Sequence, residues 1–257
     1  MSLSIKTMLF LVGFFCATLS MASGGPPMIT DDPETPGEGN WEINLADYAF
    51  HGKTLTTNQL PLIDANYGWG ENKQIKVQTP YLLESGVSDA NINGDTRTGL
   101  GQSLAGIKWR FYDNEESEFK VSTYPQVGFN LPFTSSTQRQ LSPKGVNVLL
   151  PVEFLKEWGK NDINVEIGRW FRPDPQNNTL ILGVVYTRKI DSGFDWMLEW
   201  HDERDMHINY EEAILNTGTR YMINKNLIFL FAIGKDLHNT LGETNSLITY
   251  SGVQIRI

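Results

Sequence analysis

The chain has 257 residues, with 21 Lys and Arg against 30 Asp and Glu, for a formal net charge of −9. That balance argues against a nucleic-acid binder, which needs a basic face. A single Cys excludes a disulfide scaffold or a thiolate metal site.

Lys6 precedes an apolar run over residues 8–19, and Ser20 and Ala22 then place small residues at the −3 and −1 positions of a cleavage site. This pattern predicts a secretory signal peptide over residues 1–22. The run is too short for a retained membrane helix, which needs about 20 apolar residues. Cys16 lies inside it and follows Phe15, not the small residue that a lipoprotein requires. Beyond it no stretch approaches the 18 apolar residues that mark a membrane-crossing helix. Yet the chain carries 7 Trp, 9 Tyr, 13 Phe and 23 Gly, a composition that suits strands apolar on alternate residues.

Residues 23–40 hold four Pro and four Gly, which exclude regular structure, and are acidic through Asp31, Asp32, Glu34 and Glu38. The simpler expectation is a solvated periplasmic lead-in. The alternative is a segment that folds into a barrel mouth and meets basic residues there.

From residue 41 onward, period-2 alternation recurs in segments of about ten residues, the length of a tilted bilayer-spanning strand. Residues 41–50 set Trp41, Ile43 and Leu45 against Glu42, Asn44 and Ala46. Residues 60–67 set Ile63 and Tyr67 against Leu62, Asp64 and Asn66, and 73–82 set Ile75, Val77 and Tyr81 against Gln74, Lys76 and Gln78. Residues 103–112 oppose Ile107, Trp109 and Phe111 to Lys108 and Arg110; 118–130 oppose Phe119, Val127 and Phe129 to Lys120, Ser122 and Tyr124. In 145–155, Val148, Leu150 and Val152 oppose Asn147 and Glu153, and in 162–171, Ile163, Val165 and Ile167 oppose Asn164 and Glu166. Residues 194–201 oppose Trp196, Leu198 and Trp200 to Asp195, Met197 and Glu199. Segment 213–222 carries Arg220 on its inner face. Segments 179–189 and 227–235 are apolar on both faces, which leaves their facing open. The last segment, 247–257, sets Leu247, Val253 and Ile255 against Tyr250, Gly252, Gln254 and Arg256.

Connections after even-numbered segments are short and rich in Asn, Asp and Gly, whereas those after odd-numbered ones are mostly longer and polar. Segregated turns and loops, an even count and aromatic residues near strand ends predict an all-β fold. Specifically, they predict a transmembrane antiparallel up-and-down β-barrel of about 12 strands over 41–257, in the bacterial outer membrane with both termini periplasmic. The last segment then pairs with the first, bringing Arg256 beside Glu42 at one mouth.

Several short motifs match a known family. Thr30-Asp31-Asp32-Pro33, Gly39-Asn40-Trp41-Glu42, Asn66-Tyr67-Gly68, Pro80-Tyr81 and the stretch from Gly106 to Phe111 resemble the MetA-pathway-of-phenol-degradation family. The resemblance implies an outer-membrane transporter-like barrel linked to uptake of aromatic or other hydrophobic compounds, and brings no catalytic residues.

The lumen-lining candidates are Glu42, Asp64, Glu153, Glu166, Asp195 and Glu199, with Lys76, Lys108, Arg110, Lys120, Arg220 and Arg256. Six acids and six bases do not suit a pore selective for one sign of charge. They suit either a network that fills and rigidifies the barrel or a narrow solute path through it. Catalysis is not expected: none of His51, His201, His207 and His238 has a Ser two residues away on its strand face. His201 and His207, in an acidic neighbourhood, are better read as a solvated loop than as a metal site. No cofactor is expected. The expected partners are outer-membrane lipids, the barrel-assembly machinery during insertion and a small-molecule solute. The reading is a channel or transporter, the alternative a non-transporting barrel with a structural or surface-binding role.

Overall fold

A computed structural model of the protein describes residues 25–86, 96–205, 211–240 and 244–257. The expected signal peptide, His207 and parts of three long connections lie outside these residues.

Alternating residues fold into strands that close on themselves. In chain order these are β1 (Trp41–His51), β2 (Leu55–Gly68), β3 (Lys73–Gly86), β4 (Arg97–Leu100), β5 (Ser103–Asn114), β6 (Phe119–Thr123), β7 (Gln126–Phe129), β8 (Asn147–Trp158), β9 (Asn161–Phe171), β10 (Thr179–Asp191), β11 (Phe194–Asp205), β12 (Glu211–Asn224), β13 (Leu227–Asn239) and β14 (Leu247–Arg256). β4 and β5 run along one stave of the wall, and β6 and β7 along another, so fourteen strands make twelve staves. The second break falls at Tyr124 and Pro125. Pro125 has no N–H to give, but its carbonyl accepts from the Ile107 N–H at 3.1 Å, which keeps the wall stitched.

Every neighbouring pair is antiparallel. β5 bonds to β3 on one side and to β6 and β7 on the other, while β1 bonds to β14. The sheet therefore has no free edge, and the backbone satisfies its hydrogen bonds internally, as a wall in hydrocarbon must. Helical structure among the described residues is one short turn, Pro175–Asn177.

Glu42 and Arg256 are direct partners in the β1–β14 register, and their side chains pair at 3.6 Å, as the period-2 reading expects. Several strands run longer than expected. β2 begins at Leu55, which shrinks the expected connection between segments 41–50 and 60–67 to three residues; β3 reaches Gly86 and β13 reaches Asn239. These extensions carry Thr56, Asn58, Glu84 and Asp236. Outside the bilayer both faces of a strand meet water, so the alternation fades although the pairing continues.

Facing follows the alternation. Leu45, Ile63, Val77, Ile107, Leu150, Ile167, Leu198 and Phe231 point outward and are exposed. In a soluble protein such a continuous apolar belt would be a large unsolvated patch; around a closed barrel it is the lipid-facing surface. Aromatic pairs mark the rim carrying the short turns: Trp41 with Tyr67 at 4.8 Å, Trp109 with Phe111 at 5.7 Å and Phe194 with Tyr221 at 6.5 Å. Inside, β10 and β13 resolve their ambiguous facing: Ile181, Val185, Ile228, Leu230 and Ala232 are buried, while Leu180, Phe229 and Phe231 face out.

Candidate functional site

The lumen is occupied by the chain's own lead-in, which is not the solvated segment that its Pro and Gly content suggests. Residues 25–36 turn into the barrel from the rim where Trp41 and Ile257 are hydrogen-bonded, and reach Glu199 midway along β11. A segment without regular structure leaves its backbone polar groups to be satisfied elsewhere. Here the wall supplies the partners. The Ile29 and Thr30 N–H groups donate to the Glu199 carboxylate at 3.2 and 2.7 Å, and Asp31 N–H donates to Glu166 at 3.0 Å. Asn164 donates to the Asp31 carbonyl, and Arg220 donates to the carbonyls of Pro26 at 2.9 Å and Gly25 at 3.2 Å.

The acidic side chains of the lead-in meet the basic side of the wall. Lys108 bridges Asp31 at 2.8 Å, Asp32 at 4.0 Å and Glu153 at 3.8 Å, and also donates to the Asp32 carbonyl. Lys76 lies 3.6 Å from both Asp31 and Asp64. Glu34 takes Arg110 at 2.8 Å and also pairs with Lys120, which continues to Glu157 at 3.4 Å. Burial pushes the Asp31 carboxyl up, but the Lys108 and Lys76 ammoniums outweigh it and hold the group at about 2. The lead-in is therefore anchored by charge inside a low-dielectric space, where such pairs are strong and their loss is costly.

The twelve predicted lumen residues thus fall into roles. Lys76, Lys108, Arg110, Lys120, Glu166, Glu199 and Arg220 touch the lead-in. Asp64 and Glu153 brace its lysines. Glu42 and Arg256 pair at the rim, and Asp195 stands opposite Arg220 in the β11–β12 register. Between the lead-in and the short-turn rim remains a vestibule of about 650 Å³, bordered by Glu34, Glu42, Glu71, Arg110, Arg220 and Arg256. Among the described residues no group of three or more His, Asp or Glu side chains is placed to hold a metal. His201, expected in a solvated loop, is instead buried in β11, with Nδ1 3.4 Å from the Thr30 hydroxyl.

Sequence reasoning missed the seat that receives the lead-in. A Cβ built on Gly183 would lie 2.1 Å from Thr30 Oγ1, and one on Gly218 would lie 2.5 Å from Met28 Cε. Both glycines sit inside paired strands, where any side chain could adopt the backbone shape, so they are there for space. An inward Gly within an alternating strand was the available signal.

A closed antiparallel barrel with an apolar outer belt and a lumen defines an outer-membrane β-barrel protein. Comparison with solved structures agrees. The chain is similar to an outer membrane channel from Pseudomonas putida F1, with a TM-score of 0.70 and 12% identity over 88% of this chain and 98% of that one. It is also similar to the KdgM porin (TM-score 0.56, 7% identity, 83% of this chain and 98% of that one). The CymD monoaromatic hydrocarbon channel follows, with a TM-score of 0.50 and 7% identity over 86% of this chain and 89% of that one. At these identities the likeness concerns the fold. No protein-family model matches the chain, and no curated protein matches it in sequence.

Proposed function

We propose that the protein is an outer-membrane channel for small molecules, closed at rest by residues 25–36 of its own chain. The observation that carries the reading is how the lead-in is held: by side-chain hydrogen bonds and ion pairs on a glycine seat, with no strand of its own added to the sheet. The wall is complete without it, so the segment can leave while the barrel stays closed. The likeness to channels and porins supports the same reading. So does the resemblance of the short motifs to the MetA-pathway family, which points to aromatic or other hydrophobic solutes.

In this reading, a leader over residues 1–22 directs export, the barrel-assembly machinery inserts the wall, and the short turns and both termini face the periplasm. The filled lumen is the observation that favours the alternative, a barrel that transports nothing. Liposome swelling separates the two. Vesicles carrying the protein without residues 25–36 are expected to swell in small neutral solutes, and vesicles carrying the intact protein far more slowly. A correctly folded deletion variant that admits no solute would leave the non-transporting barrel.

A further inference from the structure

Outer-membrane barrels usually present polar side chains to the lumen. One sector of this lumen does not. The register lays out two adjacent rungs. The first runs Tyr48, Tyr250, Ala232, Gly218 and Met197 across β1, β14, β13, β12 and β11. The second runs Leu62, Ala46, Gly252 and Leu230 across β2, β1, β14 and β13. Small residues occupy the middle of both rungs and larger apolar ones flank them, which makes a trough. Val185 and Ile228 extend the buried apolar surface around it.

Met28 of the lead-in fills this trough. It is 5% exposed, belongs to the same apolar cluster and lies against Gly218, where a Cβ would meet its terminal methyl. The charged half of the lumen holds Asp31, Asp32 and Glu34, so the lead-in has one anchor of each kind. Met is unbranched and adaptable, a filler whose shape many small apolar groups can match. Its removal would leave an apolar recess in an otherwise polar lumen. Enclosed apolar cavities stay dry and take benzene-sized molecules, and a recess lined by the same kinds of side chain offers a ring similar apolar contacts.

We infer that the trough is a solute site and Met28 its built-in occupant: a small uncharged apolar molecule, of single-ring or short-alkyl size, binds between Met197, Leu230 and Tyr250 by displacing Met28. This rests on the gated-channel reading and names its solute class. Binding to the trough and docking of Met28 exclude one another, so such a solute favours the released lead-in.

The test uses the full chain in lipid nanodiscs, with ¹³C-methyl methionine and benzene as the probe. The Met28 methyl, at Gly218 in the apolar cluster that also holds Tyr250, is expected to move saturably toward the shift of a solvated methionine as benzene is added. Glycerol at equal concentration should leave it in place. In the Ala232→Leu variant the wall itself crowds the trough, so Met28 should be displaced already and benzene should move it no further. Crystals grown with bromobenzene should show a bromine anomalous peak in the trough of the wild-type protein and none in Ala232→Leu. A Met28 methyl unmoved by benzene, or a bromine peak only elsewhere in the lumen, overturns the assignment. These readouts are independent of flux. A trough that binds benzene in a barrel that never conducts would sink the channel reading alone, and a conducting barrel with an empty trough would sink the solute site alone.

Discussion

Gly183→Ala separates the wall from the segment it holds. The three atoms nearest an added Cβ all belong to Thr30: Oγ1 at 2.1 Å, Cγ2 at 2.7 Å and Cβ at 2.9 Å. No wall atom is as close, and Ala suits a strand interior better than Gly, so the barrel itself should not be destabilised. The lead-in must instead retreat by about an ångström or more to restore ordinary van der Waals contact. That retreat breaks the bonds from Ile29 and Thr30 N–H to Glu199, at 3.2 and 2.7 Å. Hydrogen bonds to a charged group contribute roughly 1.5–3 kcal/mol each, so losing both costs about 3 kcal/mol at the lower bound. At about 1.4 kcal/mol per factor of ten, the ratio of docked to released lead-in falls on the order of 100-fold. Open probability in planar bilayers should rise accordingly, with heat-modifiable gel mobility unchanged. Adding Thr30→Gly removes all three clashing atoms while keeping the N–H that bonds Glu199, and should restore closure. If Gly183→Ala conducts like the wild type, or Thr30→Gly fails to reverse it, the glycine seat does not set closure.

Three further substitutions test the anchors, an exposed ion pair and the outer wall. Lys108→Met leaves Asp31, Asp32 and Glu153 without the ammonium that lies within 4.0 Å of each, and should cost about 3–5 kcal/mol of unfolding free energy. Arg204→Ala should leave the unfolding midpoint nearly where it is, because its pairs with Asp202 and Glu211 involve a half-exposed guanidinium that water already solvates; urea titration of the folded barrel in lipid checks both. Ile167→Arg places a charge on the outer face of β9, where Ile167 is 52% exposed, and should destabilise the inserted barrel by about 2–4 kcal/mol. If it is tolerated without loss, that face does not meet lipid.

The wall was legible in the sequence because a strand between lipid and a largely polar lumen writes its two environments on alternate residues. The Glu42–Arg256 pair followed from that alternation alone. The long-loop ends of β2, β3 and β13 were not legible, because both faces there meet water. Segments 179–189 and 227–235 could not be oriented because Val185, Ile228, Leu230 and Ala232 make their inner faces apolar as well. That ambiguity was itself a trace of the apolar trough. The simpler reading of the lead-in, a solvated segment, failed for a different reason. Its Pro and Gly exclude helix and strand, but say nothing of whether wall side chains bind its backbone. The acidic charge of Asp31, Asp32 and Glu34 carried the alternative, a segment folded into the barrel against basic residues, and their pairs with Lys76, Lys108, Arg110 and Lys120 are of that kind.

The most direct measurement is single-channel recording in planar bilayers of the intact protein beside a variant lacking residues 25–36. The intact protein should stay closed with brief openings, and the variant should hold a steady open level. Equal conductance from the two would contradict closure by the lead-in, and silence from a folded variant would contradict the channel itself.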